Sequence, residues 1–321
     1  MLILAGFVLA MTNFMANLDV NIANVAMPHI AGSLGASTGE GTSVITFYAV
    51  AEAISIPLTA WLANRFGTVR VFFIAVAGFG ITSALCGLAP SLQMLVLFRL
   101  LQGFSAGPMM PLAQTLLMQI VPKSHQTIAF GLFAMTIIVA PILGPLVGGV
   151  IADTIGWEWA FFINVPIAIF LLAVGYPLLR PQETEIRKAK IHTVGMCLLL
   201  VWVGALQLML DMGKEHEWFE SPFVVGLLAV AVVGFIAFLI WELTAKDPVV
   251  DLSVFKHRSF AIATLIVSIC FAIFIGASVL LPLWLQTNMG YSATSAGQLM
   301  AFNGILGVLA AAMAAKLMGK F

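Results

Sequence analysis

Charge is what this sequence has least of. Lys, Arg, Asp and Glu make up 9% of its 321 residues, against roughly 25% in a water-soluble domain, so the polar surface is too small to cover a globule in water. The 14 basic and 14 acidic residues cancel, which removes the electrostatic case for a nucleic-acid partner. Cysteine is scarce as well. Cys86, Cys197 and Cys270 lie far apart in apolar runs and give neither a disulfide framework nor a zinc site; they read as small packing residues. The five histidines, His29, His125, His192, His216 and His257, share no metal-ligand spacing, and no His-Glu-x-x-His occurs. No metal is therefore expected, and an enzyme is the least supported class. What is abundant is hydrocarbon: 61% of residues are hydrophobic, and the mean hydropathy is +1.08. The composition specifies an all-α polytopic membrane protein.

A membrane helix needs about 20 mostly apolar residues. Charges and turn signals divide the chain into ten such runs, at 4–30, 43–63, 69–89, 92–120, 127–152, 160–179, 193–211, 222–241, 260–285 and 294–315. They are too long for membrane β-strands and lack the alternation of a barrel. The first run has no basic flank and continues too far to be a cleavable signal peptide.

Twelve of the 14 basic residues fall in loops on one side, from Arg65 and Arg70 through Lys123, Arg180, Arg187, Lys188, Lys190, Lys246, Lys256 and Arg258 to Lys316 and Lys320. The other side carries Lys214 with Glu40, Asp153, Glu158, Glu215, Glu217 and Glu220. The excess of Lys and Arg marks the cytoplasmic face and places the N-terminus there. Two polar stretches act as linkers, so the expected organisation is a six-helix domain at 1–180, a linker at 181–192, two inserted helices at 193–245, a second linker at 246–259 and two helices of a further domain at 260–321.

Three ionisable residues lie where oil is expected: Asp19 in span 1, Glu52 in span 2 and Arg99 in span 4. A charge at mid-bilayer costs about 2.5–3.5 kcal/mol on insertion scales, which makes each a functional candidate. Arg99 does not lose its proton, so it requires an acidic or carbonyl partner. At 100° per residue, Asp19 shares a face with Thr12, Ala16, Ala23 and Ala26, while Asn13, Asn17 and Asn24 form a separate stripe with Asn21 at its edge. Tyr48, Glu52, Ser55 and Thr59 form a polar stripe on span 2, and Arg99, Gly103, Met110 and Gln114 fall on one face of span 4. Asp19, Arg99 and Glu52 are the expected proton-coupling residues. Asn13, Asn17, Asn24, Tyr48, Ser55, Met110 and Gln114 are the expected substrate-cavity residues.

Span 5 contains Ala140-Pro-Ile-Leu-Gly-Pro-Leu-Val-Gly-Gly149. Gly144 and Gly148 are one turn apart, a small-xxx-small pattern that lets two helix backbones approach closely, and Pro141 and Pro145 each remove a backbone donor.

These segments carry a resemblance. Leu18-Asp-Val-Asn-Ile-Ala-Asn-Val-Ala-Met-Pro28 resembles the span 1 signature of drug exporters in the major facilitator superfamily. Ala60-Trp-Leu-Ala-Asn-Arg-Phe-Gly-Thr-Val-Arg70 is similar to the superfamily's loop 2–3 motif, Phe98-Arg-Leu-Leu-Gln-Gly103 to its span 4 motif, and Gly144-Pro-Leu-Val-Gly-Gly149 to its antiporter motif. Trp157-Glu-Trp-Ala-Phe-Phe-Ile-Asn-Val-Pro166 and Pro248-Val-Val-Asp-Leu252 resemble the fourteen-span drug:proton antiporters of the EmrB/QacA type.

The resemblance implies a major-facilitator helical bundle and export of hydrophobic or amphiphilic compounds driven by inward proton flow, with no cofactor beyond the proton gradient. It implies proton coupling at Asp19, a functional buried Arg99, and gating by Asn64, Arg65, Gly67, Arg70, Gly103, Pro141, Gly144, Pro145, Gly148 and Gly149. The loop motif usually has an acid where this chain has Asn64, which cannot supply the charge of the usual latch. The family pairs two six-helix halves, and only two helices of the second are present, so the chain reads as a fragment missing about four spans. The implied location is the inner membrane. Implied partners are drug-like molecules, protons and lipid, with a periplasmic adaptor and outer-membrane channel where the cell has two membranes. Proton symport of another substrate on the same fold is the alternative.

Overall fold

The computed structural model describes every residue except 1, 123–125, 187–192, 214–215, 246–247, 249, 251 and 303–321. Lys123, Arg187, Lys188, Lys190, Lys214, Lys246, Lys316 and Lys320, most of the first linker and the second half of span 10 lie outside the described residues, as do His125, His192 and Glu215.

Nine expected spans and the described start of the tenth appear as helices in the expected order. They are α1 (Leu2–Ser33), α3 (Ser43–Phe66), α4 (Thr68–Gly87), the pair α5 (Leu92–Ala106) and α6 (Met109–Ile120), and α7 (Gln126–Thr154). The sixth combines α8 (Trp159–Phe162), α9 (Asn164–Phe170), a π-helical turn (Leu171–Gly175) and α10 (Tyr176–Leu179). Then come α11 (Thr193–Met212), α12 (Pro222–Thr244), α13 (Arg258–Thr287) and a final helical run at 293–302. A short α2 (Thr38–Gly41) joins α1 to α3 and begins with a capping box between Ser37 and Glu40. Among the described residues, seven helical stretches are long and apolar enough by themselves to cross a bilayer.

Two spans are less regular than their hydropathy predicts. Span 4 is divided at Gly107-Pro108, where proline has no N–H for the helical ladder. Span 6 relaxes into a π-turn ending at Gly175, and a Cβ there would sit 2.7 Å from Val8 and 3.0 Å from Phe73. By contrast, α7 stays one helix through both Pro141 and Pro145.

α1 is the central helix and packs on α7, α6 and α13; α3 packs on α5, and α4 on both α5 and α9. The inserted pair packs on itself and, through α11, on α3. Trp202 supplies that pair's contact, lying over Gly234 and against the Phe235 ring at 5.0 Å. The buried apolar residues fall into two clusters rather than one. The first runs from Val8, Leu9 and Met15 to Val69, Phe72, Leu116 and Leu179, towards the face with the basic loops. The second runs from Leu18, Ile22 and Ile30 to Trp157, Phe161 and Ala293, towards the opposite face. The division on α1 falls between Met15 and Leu18, one residue before Asp19.

Candidate functional site

The gap between the two apolar clusters is filled by a buried polar network drawn from five spans. Asp19 of α1 accepts a hydrogen bond from Arg99 Nη1 of α5 at 2.6 Å, and the two side chains are 0% and 1% exposed. The second carboxylate oxygen accepts from Asn164 Nδ2 of α9 at 2.6 Å and from Gln102 Nε2 at 3.1 Å. Arg99 is held equally fully. Its Nε donates to the Val44 carbonyl of α3 at 3.2 Å, its Nη1 also donates to Gln102 Oε1 at 2.8 Å, and its guanidinium lies 4.0 Å from the centre of the Tyr48 ring. Asn164 in turn donates to Ser83 Oγ of α4, whose hydroxyl donates to the Phe161 carbonyl. An ion pair in low dielectric persists when hydrogen bonds meet its further donors and lone pairs; here both Asp19 oxygens and the Nε and Nη1 of Arg99 are bonded, while the Tyr48 hydroxyl and Asn164 Oδ1 are buried without a partner.

Local sequence explains the placement. Arg99 and Gln102 lie three residues apart, on one side of α5. One turn on, Gly103 faces the Tyr48 carbonyl so closely that a Cβ would overlap it, and at Gly107 a Cβ would lie 2.7 Å from the Glu52 carbonyl. The two glycines bring α3 and α5 together backbone to backbone, which is what puts the Val44 carbonyl within reach of Arg99. Glu52 is half-buried on α3 and senses the charges of Arg99 and Asp19, but no hydrogen bond joins it to either.

Both partners expected for Arg99, an acid and a carbonyl, are present. Gln102, Asn164 and Ser83 were not singled out in the sequence. The signal was available: Gln102 lies inside the span 4 motif, and Asn164 is a lone amide in the apolar run Phe161-Phe-Ile-Asn-Val165.

The expected cavity residues do not form one group. Asn13 donates to Thr136 of α7 at 2.7 Å, Asn17 to the Asn13 carbonyl at 2.9 Å and Asn21 to the Asn17 carbonyl at 2.7 Å, a ladder along the α1–α7 seam. Asn24 is buried, its side-chain carbonyl unpartnered. Tyr48 and Ser55 are buried in the α3–α5 seam. The common face expected for Arg99, Gly103, Met110 and Gln114 is interrupted: Arg99 and Gly103 are buried, Gln114 is half-buried and Met110 is 38% exposed. The break at Gly107-Pro108 separates the two halves of that stripe.

The loop motif has a partner that the sequence reading lacked. Gly67 joins α3 to α4 with φ of 96°, a conformation that favours glycine, and it offers no side chain to cap α4. Glu183 supplies the cap from the far side of span 6. Its two oxygens accept the Val69 and Arg70 N–H groups at 2.9 and 3.0 Å, and Thr184 Oγ1 accepts that of Thr68 at 3.1 Å. A Cβ on Gly67 would fall 2.6 Å from the Glu183 carboxylate. The negative charge missing at Asn64 is thus present at the motif, contributed by Glu183, while Asn64, Arg65 and Arg70 are exposed.

In span 5, Gly144 meets the Asn21 side chain, and a Cβ on Gly148 would sit 2.9 Å from the Ile22 backbone, so both close the α1–α7 seam. Gly149 faces Ala293 of the final helical run, and the Pro145 carbonyl lies over Gly297. The same end of the molecule is tied by Asp153, which accepts the Thr294 N–H at 2.8 Å and approaches His29 at 3.4 Å. Gln286 of α13 donates to the Val25 carbonyl of α1 at 3.0 Å. α1 and α7 therefore meet α13 and the final helical run on the face opposite the basic loops.

Comparison with known proteins places the fold in a family. The family described as "Major Facilitator Superfamily" matches residues 9–321. The chain is 50% identical to "Multidrug export protein EmrB" of Haemophilus influenzae, over 92% of its own length and 58% of the relative's. It is 49% identical to "Fatty acid resistance protein FarB" of Neisseria gonorrhoeae, over 94% of its length and 59% of that protein's. A crystal structure of a peptide transporter, POT, in complex with sulfate superposes with a TM-score of 0.70 at 17% identity, covering 98% of this chain and 68% of that one; this likeness concerns the fold. The chain spans about three fifths of the length of the curated relatives it matches.

Proposed function

Because the chain belongs to the Major Facilitator Superfamily and is a multi-pass membrane protein, we propose that it acts as a proton-coupled antiporter exporting hydrophobic or amphiphilic compounds across the cytoplasmic membrane. The observation that carries this reading is the Asp19–Arg99 pair, fully buried between two apolar clusters at 2.6 Å. While Arg99 is in place the carboxylate is neutralised by the guanidinium. A helix movement that draws Arg99 away would leave an unpaired carboxylate in a medium where that is unstable by several kcal/mol, and the group would neutralise by taking a proton. Transport would then alternate between the two counterions, arginine and proton. Glu52, near both charges but bonded to neither, is the second acid in reach of the same exchange.

The half-buried Asn17 and Asn21 of the asparagine ladder, with Met110 and Gln114, are proposed to line the path of the substrate. Its few fixed polar groups suit varied apolar ligands. The basic loops and the N-terminus are assigned to the cytoplasmic side. The domain boundaries at 180, 192, 245 and 259 follow from the same loops. Relatives named as multidrug and fatty-acid resistance proteins favour drug-like amphiphiles as substrates. A periplasmic adaptor and an outer-membrane channel are the further partners of this reading.

In inside-out vesicles containing the full-length protein, adding substrate should dissipate an imposed proton gradient. Asp19→Asn should lower that response by at least ten-fold while membrane insertion stays normal. An undiminished response in the variant removes Asp19 from the mechanism.

A further inference from the structure

Outside the Asp19 network, a cleft of about 520 Å³ opens between α3, α4 and the α5–α6 segment. Its walls are apolar, with Leu62 and Phe66 on one side and Ile74 and Phe104 on the other, while Arg65 and Arg70 stand at one end. From Arg70 the cleft reaches Gly78, eight residues along α4, a depth of about 12 Å at the helical rise. Ile74 and Phe104 are 68% and 45% exposed, so the cleft opens sideways into hydrocarbon rather than into water. It thus has a cationic rim at the membrane surface and an oily trough beneath it.

One of the two rim cations is paired within the protein: Arg70 forms an ion pair at 3.8 Å with Glu183, whose carboxylate also accepts two backbone N–H groups of α4. Arg65 makes no ion pair among the described residues, and Asn64 adds no negative charge. Guanidinium groups bind phosphate oxygens with paired, charge-assisted hydrogen bonds.

We propose that this cleft binds one anionic phospholipid of the leaflet on the basic-loop side, its phosphate held by Arg65 and Arg70 and one acyl chain lying along Ile74 and Phe104. The site is separate from the proposed transport chemistry, because its readout is lipid retention and needs no substrate or proton gradient.

The test is native mass spectrometry of the full-length protein purified with equal amounts of phosphatidylglycerol and phosphatidylcholine. Phosphatidylglycerol should be retained in preference. Arg65→Gln with Arg70→Gln should cut that preference by about twenty-fold, roughly five-fold for each charge. Ile74→Trp, which fills the trough and leaves both arginines, should reduce retention of either lipid. An unchanged preference in the double variant, or unchanged retention in Ile74→Trp, overturns the assignment. So does an Ile74→Cys thiol shielded from a lipid-soluble maleimide in the full-length protein, since a protein segment would then fill the cleft.

Discussion

Arg99 shows how much of the design rests on single side chains. Its guanidinium meets Asp19 and Gln102 through Nη1, the Val44 carbonyl through Nε and the Tyr48 ring through its face, a set of directions that needs the planar fork lysine lacks. Arg99→Ala leaves the Asp19 carboxylate buried without its cation and should destabilise the fold by roughly 3–5 kcal/mol. Arg99→Lys keeps the charge but loses the fork, and should retain more folded protein in a detergent thermal-shift assay. Equal stability of both variants with the parent would mean the pair is not holding the helices together. Glu183 acts at a second single-residue site. Glu183→Ala frees the first N–H groups of α4 and should cost about 1 kcal/mol, the usual loss on removing a helix cap. Glu183→Gln retains an acceptor and should fall between. If melting shows no loss for Glu183→Ala, the cap is not energetically coupled to the fold.

At the scale of elements, closeness is set by glycine. Gly103 and Gly107 join α3 to α5, Gly144 and Gly148 join α7 to α1, and Gly149 with Gly297 joins α7 to the final helical run. Gly148→Leu must push α7 off the Ile22 backbone, and should therefore reduce export by more than ten-fold with the protein still inserted; normal export by that variant would contradict a working α1–α7 contact. The hydropathy pattern located these helices to within a few residues, because a membrane span needs about 20 apolar residues whatever its partners. It also located Asp19 and Arg99, since a charge in an apolar run is conspicuous. Which polar residues complete the network was not legible in the same way. Asn164 and Gln102 are neutral, and whether an amide faces lipid, a seam or an ion depends on how four other helices pack. The interrupted stripe on span 4 was hidden for a similar reason: a constant 100° per residue holds only while the helix is regular, and Gly107-Pro108 ends that regularity. Glu183 was passed over because it sits in a polar stretch where charge is ordinary.

Across the described residues, the first six spans place their polar centre on the boundary between two apolar clusters, and α13 and the final helical run touch them at one end. On the face opposite the basic loops, Asp153, Gln286, Gly149 and Gly297 draw α1 and α7 against α13 and the final run, whereas most of α13 is exposed along its length. In the proposed cycle, closure at that end would be coupled to proton exchange at Asp19 through α1, which carries both the acid and the residues that α7 and α13 grip. The central claim is that Asp19 changes counterion when substrate binds. The direct measurement is proton release from the purified full-length protein, followed with a pH-sensitive dye in weakly buffered detergent solution as substrate is added. Starting from protein loaded with protons at acidic pH, where antiport requires substrate to displace the proton at Asp19, the parent should release protons in a saturable, substrate-dependent manner, and Asp19→Asn should release none while still binding substrate. Equal release from both proteins would contradict the claim.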